Sequence, residues 1–111
     1  TQILTDGDDF TINLESKKLK LYISDANKED GDKIELRINN KIILYDFETK
    51  NKRKKIKFRL QEGENIIEIK AINLGMSPPN TSRIELMDSK IKYHIITQLE
   101  LGKSAIIKVI K

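Results

Sequence analysis

Apolar residues recur at every second position along almost the whole chain. Asp9 to Glu15 carries Phe10, Ile12 and Leu14, and Lys18 to Ser24 carries Leu19, Leu21 and Ile23. Asp32 to Asn39 sets Ile34, Leu36 and Ile38 against Lys33, Glu35 and Arg37. Lys55 to Leu60 sets Ile56, Phe58 and Leu60 against Lys55, Lys57 and Arg59. The rhythm continues through Ile67, Ile69 and Ala71, then Ile84 and Leu86, then Ile91, Tyr93 and Ile95, and ends on Ala105, Ile107 and Val109. Alternation places each apolar set on one face of a half-buried strand. The 19 isoleucines fit, because β-branched side chains suit a pleated surface.

The breaks in the rhythm are turn signals. Asn39-Asn40 separates two apolar runs and predicts a two-residue hairpin into a strand from Lys41 to Phe47, since Asn tolerates positive φ. Glu62-Gly63-Glu64-Asn65 and Asp88-Ser89-Lys90 predict two more tight turns. No helical period lies between the runs. The pattern therefore predicts a single all-β domain over 1–111, an antiparallel Ig-like β-sandwich of eight or nine strands without substantial helix. Two segments interrupt it. ETKNKRKK (48–55) is a polar, basic connection, and NLGMSPPNT (73–81) is a longer irregular one whose Pro78-Pro79 pair predicts an extended, polyproline-like path.

Composition narrows the function classes. The chain is 111 residues with 34 % charged and 38 % hydrophobic residues, enough for one core. No apolar run approaches the roughly 18 residues of a membrane span, so no span is expected. There is no Cys, which excludes disulfides, thiolate catalysis and Cys-ligated zinc. The chain starts at Thr1 without a signal peptide, as expected of a processed protein or an excised module. The net charge is +4, but the basic residues are mostly Lys and the aromatics are few, so nucleic acid is not the expected partner.

The densest chemistry is SDANKEDGDK (24–33). Its carboxylates Asp25, Glu29, Asp30 and Asp32 could supply the several oxygens that a hard cation such as calcium requires. An EF-hand is rejected, because Gly31 is one position late and Leu36 stands where the last acidic ligand belongs. The segment reads equally as a solvated Asp/Gly turn, with Gly31 at positive φ. Asp6-Gly7-Asp8-Asp9 carries the same ambiguity more weakly.

Two surface features are alternatives. Lys33, Arg37, Lys55, Lys57 and Arg59 are outward positions that could bind an anionic polymer, or simply form a solvated face that discourages edge pairing. Tyr22, expected to be exposed, with Tyr45 and Phe47, expected on one face, could form a small sugar platform; exposed Tyr is also ordinary on strands. Phe10, Phe58 and Tyr93 belong to the core faces. His94, the only histidine, is out of phase with Tyr93 and Ile95 and has no nucleophile motif nearby. A non-catalytic protein is expected.

EDGDKIELRINNKIIL, LQEGENIIEIKAINLGMSPPNTSRIELMD and QLELGKSAIIKVIK together resemble a β-sandwich module recurrent in exported Bacteroidetes proteins. The resemblance spans about residues 18 to 111 and is sharpest at Asn73, Gly75, Pro78, Pro79, Asn80 and Thr81. Asn40 departs from the Gly usual there, a change the hairpin tolerates. The resemblance implies an extracytoplasmic accessory or interaction module, bound to another protein or to a neighbouring domain, and implies no functional residue. From the residues themselves, Asn73 and Asn80 are placed to hydrogen-bond loop backbone and Gly75 to allow a sharp exit, which predicts a self-braced crossover between sheets. A calcium-assisted carbohydrate-binding module is the main alternative.

Overall fold

The computed structural model describes residues 1–26, 29–76 and 78–111. Every regular element in it is a strand: β1 (Gln2–Leu4), β2 (Asp9–Asn13), β3 (Lys18–Ser24), β4 (Lys33–Ile38), β5 (Lys41–Glu48), β6 (Lys54–Arg59), β7 (Glu64–Asn73), β8 (Asn80–Met87), β9 (Lys92–Leu99) and β10 (Ser104–Ile110). They form two five-stranded sheets, β1-β9-β8-β3-β6 and β2-β10-β7-β4-β5. Leu19, Leu21, Ile84, Leu86 and Ile95 of the first sheet share one buried core with Ile34, Leu36, Ile67, Ile69 and Ile107 of the second. The arrangement is sandwich-like, and its core positions are the alternating apolar sets of the sequence.

Two features differ from the expected antiparallel fold. The described residues form ten strands, one more than expected, because the three-residue β1 is too short to show a period. Both N-terminal strands also pair parallel to C-terminal ones, β1 with β9 and β2 with β10. Only Thr5 to Asp8 separate them, so the chain crosses from one sheet to the other there and closes on Asp8 N–H donating to Thr5 O at 2.9 Å.

The turns follow their chemistry. Asn39 and Asn40 have φ of 51° and 65°, the left-handed pair a tight hairpin needs. Asn39 also accepts the Ile66 N–H at 2.8 Å and donates to Asn65 Oδ1 at 3.1 Å, so the hairpin is pinned to β7. Asp88 Oδ1 accepts the N–H groups of Lys90 and Ile91 at 2.8 and 2.7 Å, closing the β8–β9 turn.

Strand β5 breaks alternation. Ile34 faces Phe47 and Leu36 faces Leu44, so Tyr45 and Asp46 together oppose Glu35 alone. This is a β-bulge, with Asp46 at φ 53°. It turns Phe47 against the core and leaves Tyr45 69 % exposed.

Candidate metal centre

The segment between β3 and β4 folds back so that Asp25, Asp30 and Asp32 each bring a carboxylate oxygen within 4.8 Å of the others. Asp25 follows β3 in one sheet and Asp32 precedes β4 in the other, so the cluster sits where the two sheets meet at one end of the core. Asp25 and Asp32 are buried, and Asp30 is half-buried.

Asp32 anchors the centre. It is 1 % exposed. Its Oδ2 accepts the Thr81 N–H at 3.0 Å. Its buried Oδ1 has no hydrogen-bond donor among the described residues. Burial foremost, then the neighbouring Asp30 and Asp25 carboxylates, push the Asp32 carboxyl up to about 6 against the pull of the Thr81 N–H. A buried carboxylate oxygen beside like charges is costly unless a cation compensates it.

The crossover from β7 to β8 covers the cluster. Gly75 has φ +64°, and a Cβ there would lie 2.6 Å from both Asp30 O and Asp32 Oδ1. Only a residue without a side chain lets this backbone close over the carboxylates. Met76 N–H donates to Asp30 O at 3.0 Å. Asn80 Nδ2 donates to Lys33 O and Asn73 O at 2.9 and 2.6 Å, and Lys33 N–H donates to Asn73 Oδ1 at 2.9 Å. The crossover is thus braced onto the acidic turn as well as onto itself. Its Pro78–Pro79 bond is cis, so the expected polyproline path, an all-trans geometry, does not describe it.

The basic connection after β5 closes the other side. Asp25 N–H donates to Lys50 O at 2.8 Å and Thr49 N–H to Asp32 O at 3.0 Å. Glu29 belongs to this contact and not to the cluster: it is exposed and its Oε2 accepts the Asn51 N–H at 2.8 Å. A donor set made only of oxygens suits a hard cation. Oxygens bound at calcium's 2.3–2.6 Å stand at most about 5 Å apart, which agrees with the cluster's spread.

The other sequence candidates separate. Tyr22 lies on β3 in the first sheet, half-buried rather than exposed, with the Arg53 guanidinium 4.4 Å above its ring. Tyr45 and Phe47 lie on β5 in the second sheet and point apart, so the three aromatics form no common platform. The basic stripe divides too. Lys33 and Arg37 lie on β4, paired with Asp46 at 3.8 Å and Glu35 at 2.6 Å, whereas Lys55, Lys57 and Arg59 lie on β6 in the opposite sheet. His94 is half-buried rather than exposed, and its Nδ1 meets Thr1 Oγ1 at 3.1 Å. Asp6-Gly7-Asp8-Asp9 resolves as a turn whose Asp8 accepts the Thr5 N–H and hydroxyl at 2.8 and 3.0 Å.

Sequence reasoning singled out Asp25, Glu29, Asp30 and Asp32, of which the structure groups Asp25, Asp30 and Asp32, and it missed that Gly75 covers them. The left-handed glycine beside Pro-Pro was the available signal, but nothing local pointed it at a turn more than forty residues upstream. No protein-family model matches the chain, and neither the curated proteins nor the solved structures give a significant match. Among the described residues, no helix is long and apolar enough to cross a membrane.

Proposed function

We propose that this protein is a non-catalytic accessory or interaction module whose sheet junction is stiffened by one calcium ion held by Asp25, Asp30 and Asp32. The observation that carries the reading is the buried Asp32 Oδ1, which faces the Asp25 and Asp30 carboxylates and has no hydrogen-bond donor among the described residues. The ion would tie the end of β3, the start of β4 and the β7–β8 crossover together. That is a structural task, since Gly75 and Met76 close over the cluster and leave little room for a substrate. The Ig-like assignment and an extracytoplasmic location belong to the same proposal. The two-sheet core supports the first. The second is supported by the resemblance to exported modules and by the cluster itself, because weak all-carboxylate calcium sites work at the millimolar calcium found outside cells. The partner in this reading is another protein or a neighbouring domain.

Thermal melts in calcium and in EDTA test the proposal. Saturating calcium should raise the midpoint by about 5–10 °C, as expected for about 1–2 kcal/mol of linked binding in a domain of this size. An unchanged midpoint at ~10 mM calcium removes the ion from the reading.

A further inference from the structure

Strands β3 and β6 pair in a register that sets Lys18 opposite Arg59 and Lys20 opposite Lys57. Leu19, Leu21 and Ile56 face the core, so these four cations share the outer face of the first sheet. Directly opposed side chains on a ladder have Cβ atoms about 4.5–5.5 Å apart, where like charges are destabilising. Lys55 extends the row opposite Tyr22. None of Lys18, Lys20, Lys55, Lys57 and Arg59 has a carboxylate within 4.0 Å among the described residues.

Edge protection accounts for lysines on β6, the outermost strand. It does not account for Lys18 and Lys20, which lie on the interior strand β3. The other edge strands carry little Lys: β1 and β2 have none, and β5 has one, Lys41. Beside the opposed pairs a groove of about 300 Å³ opens, lined by Lys18, Lys20, Lys57, Met87, Asp88 and Ser89.

We propose that this face binds an acidic polysaccharide, with one sulfate- or carboxylate-bearing sugar ring seated in the groove. Lys20 and Lys57 would hold the anionic group, and the polymer's further charges would run along Lys18, Arg59 and Lys55. The Ser89 hydroxyl and the spare acceptor sites of Asp88 are suited to ring hydroxyls, and Met87 to the apolar face of a ring. Two features favour a saccharide over a nucleic acid. Tyr22 is covered by Arg53 and offers no open ring for base stacking. Asp88 and Ser89 in the groove suit ring hydroxyls, which every sugar of a polysaccharide presents and a deoxynucleotide backbone lacks. The surface is separate from the acidic cluster, so the binding is independent of calcium.

Titrations with heparin, polygalacturonate and an oligodeoxythymidine, in EDTA, test the proposal. The protein should bind heparin or polygalacturonate at ~50 mM salt and weaken by at least about tenfold by ~0.3 M, as exposed charges are screened. The Lys20→Gln/Lys57→Gln double variant should lose about tenfold or more, with a melting midpoint equal to or above the parent's because an opposed like-charge pair is removed. Lys41→Gln/Lys70→Gln, the same charge change at exposed positions of the other sheet, should stay within about twofold. Failure to bind either polysaccharide at low salt overturns the proposal. So does equal loss in both double variants, or a preference for the oligonucleotide over both polysaccharides.

Discussion

Thr81 donates its backbone N–H to Asp32 Oδ2 over 3.0 Å, joining the first residues of β8 in one sheet to the residue before β4 in the other. The bond uses one oxygen of a buried carboxylate and leaves the second facing Asp25 and Asp30. The chemistry of the candidate metal centre follows from that division.

Replacing Asp32 separates the centre's two roles. In EDTA, the folded-state pKa of about 6 lies above the unfolded value near 3.8. Ionising Asp32 therefore opposes folding. Stability should be highest below pH 4 as far as this group is concerned, and should fall by roughly 2–3 kcal/mol as pH rises through 6. Asp32→Asn should flatten that fall and be no less stable than the parent at pH 7 in EDTA, while losing the response to calcium. Urea melts from pH 4 to 7.5, with and without calcium, provide the check. A parent in EDTA that gains stability between pH 4 and 6, relative to the Asn variant, contradicts this account.

Glu85 predicts the opposite trend. Its carboxylate is held low chiefly by its hydrogen bond to Lys92, with Arg53 adding to it against partial burial. The two ion pairs measure 2.8 and 3.3 Å. A depressed pKa contributes stability above the unfolded value near 4.5 and loses it as pH falls through the folded value. Glu85→Gln should therefore destabilise at pH 7 and converge on the parent at pH 3, measured by denaturant midpoint.

Gly75→Ala should destabilise more than Gly31→Ala. Both positions have positive φ, 64° and 88°, so each costs about 1 kcal/mol or more for a side chain. Only at Gly75 would the new Cβ meet backbone and carboxylate oxygens at 2.6 Å. The expected penalty is about 2–4 kcal/mol for Gly75→Ala. Similar midpoints for the two variants would show that the crossover moves aside freely.

At the β4–β5 hairpin, Asn40→Gly should be neutral or stabilising by up to ~1 kcal/mol, because φ is 65° and the side chain is exposed. Asn39→Gly should cost about 1–3 kcal/mol despite the same backbone ease, since it removes the acceptor of the Ile66 N–H and the donor to Asn65. Equal effects would mean that the cross-strand bonds of Asn39 contribute nothing.

Core faces were legible because alternation is a local property: Leu19, Ile34, Ile67 and Ile107 declare their side through their immediate neighbours. Phe47 was not, because the bulge at Tyr45-Asp46, one of two register shifts against β4, sets it on the face opposite Tyr45. Strand β1 is too short to show a period, and the parallel pairing of β1 and β2 depends on partners some ninety residues away. The acidic turn was visible as a cluster of charge, but which carboxylates converge depends on tertiary contacts. Asn51 takes Glu29 away, and Gly75 closes over the rest. The basic stripe failed as a unit for a similar reason. Alternation places Lys33 and Lys57 on outward faces without saying that the faces belong to opposite sheets, or that Lys18 and Lys20 complete one of them.

The parallel pairing of β2 with β10 has a mechanical consequence. The ladder runs from Asp9 beside Ile106 to Asn13 beside Ile110. A force drawing Thr1 away from Lys111 pulls these two strands in opposite directions along their own axes. Their hydrogen bonds then share the load together instead of parting one after another, as they would if peeled. The β1–β9 ladder has the same sense on the other sheet. Under tension from its ends, the domain is loaded in shear on both sheets.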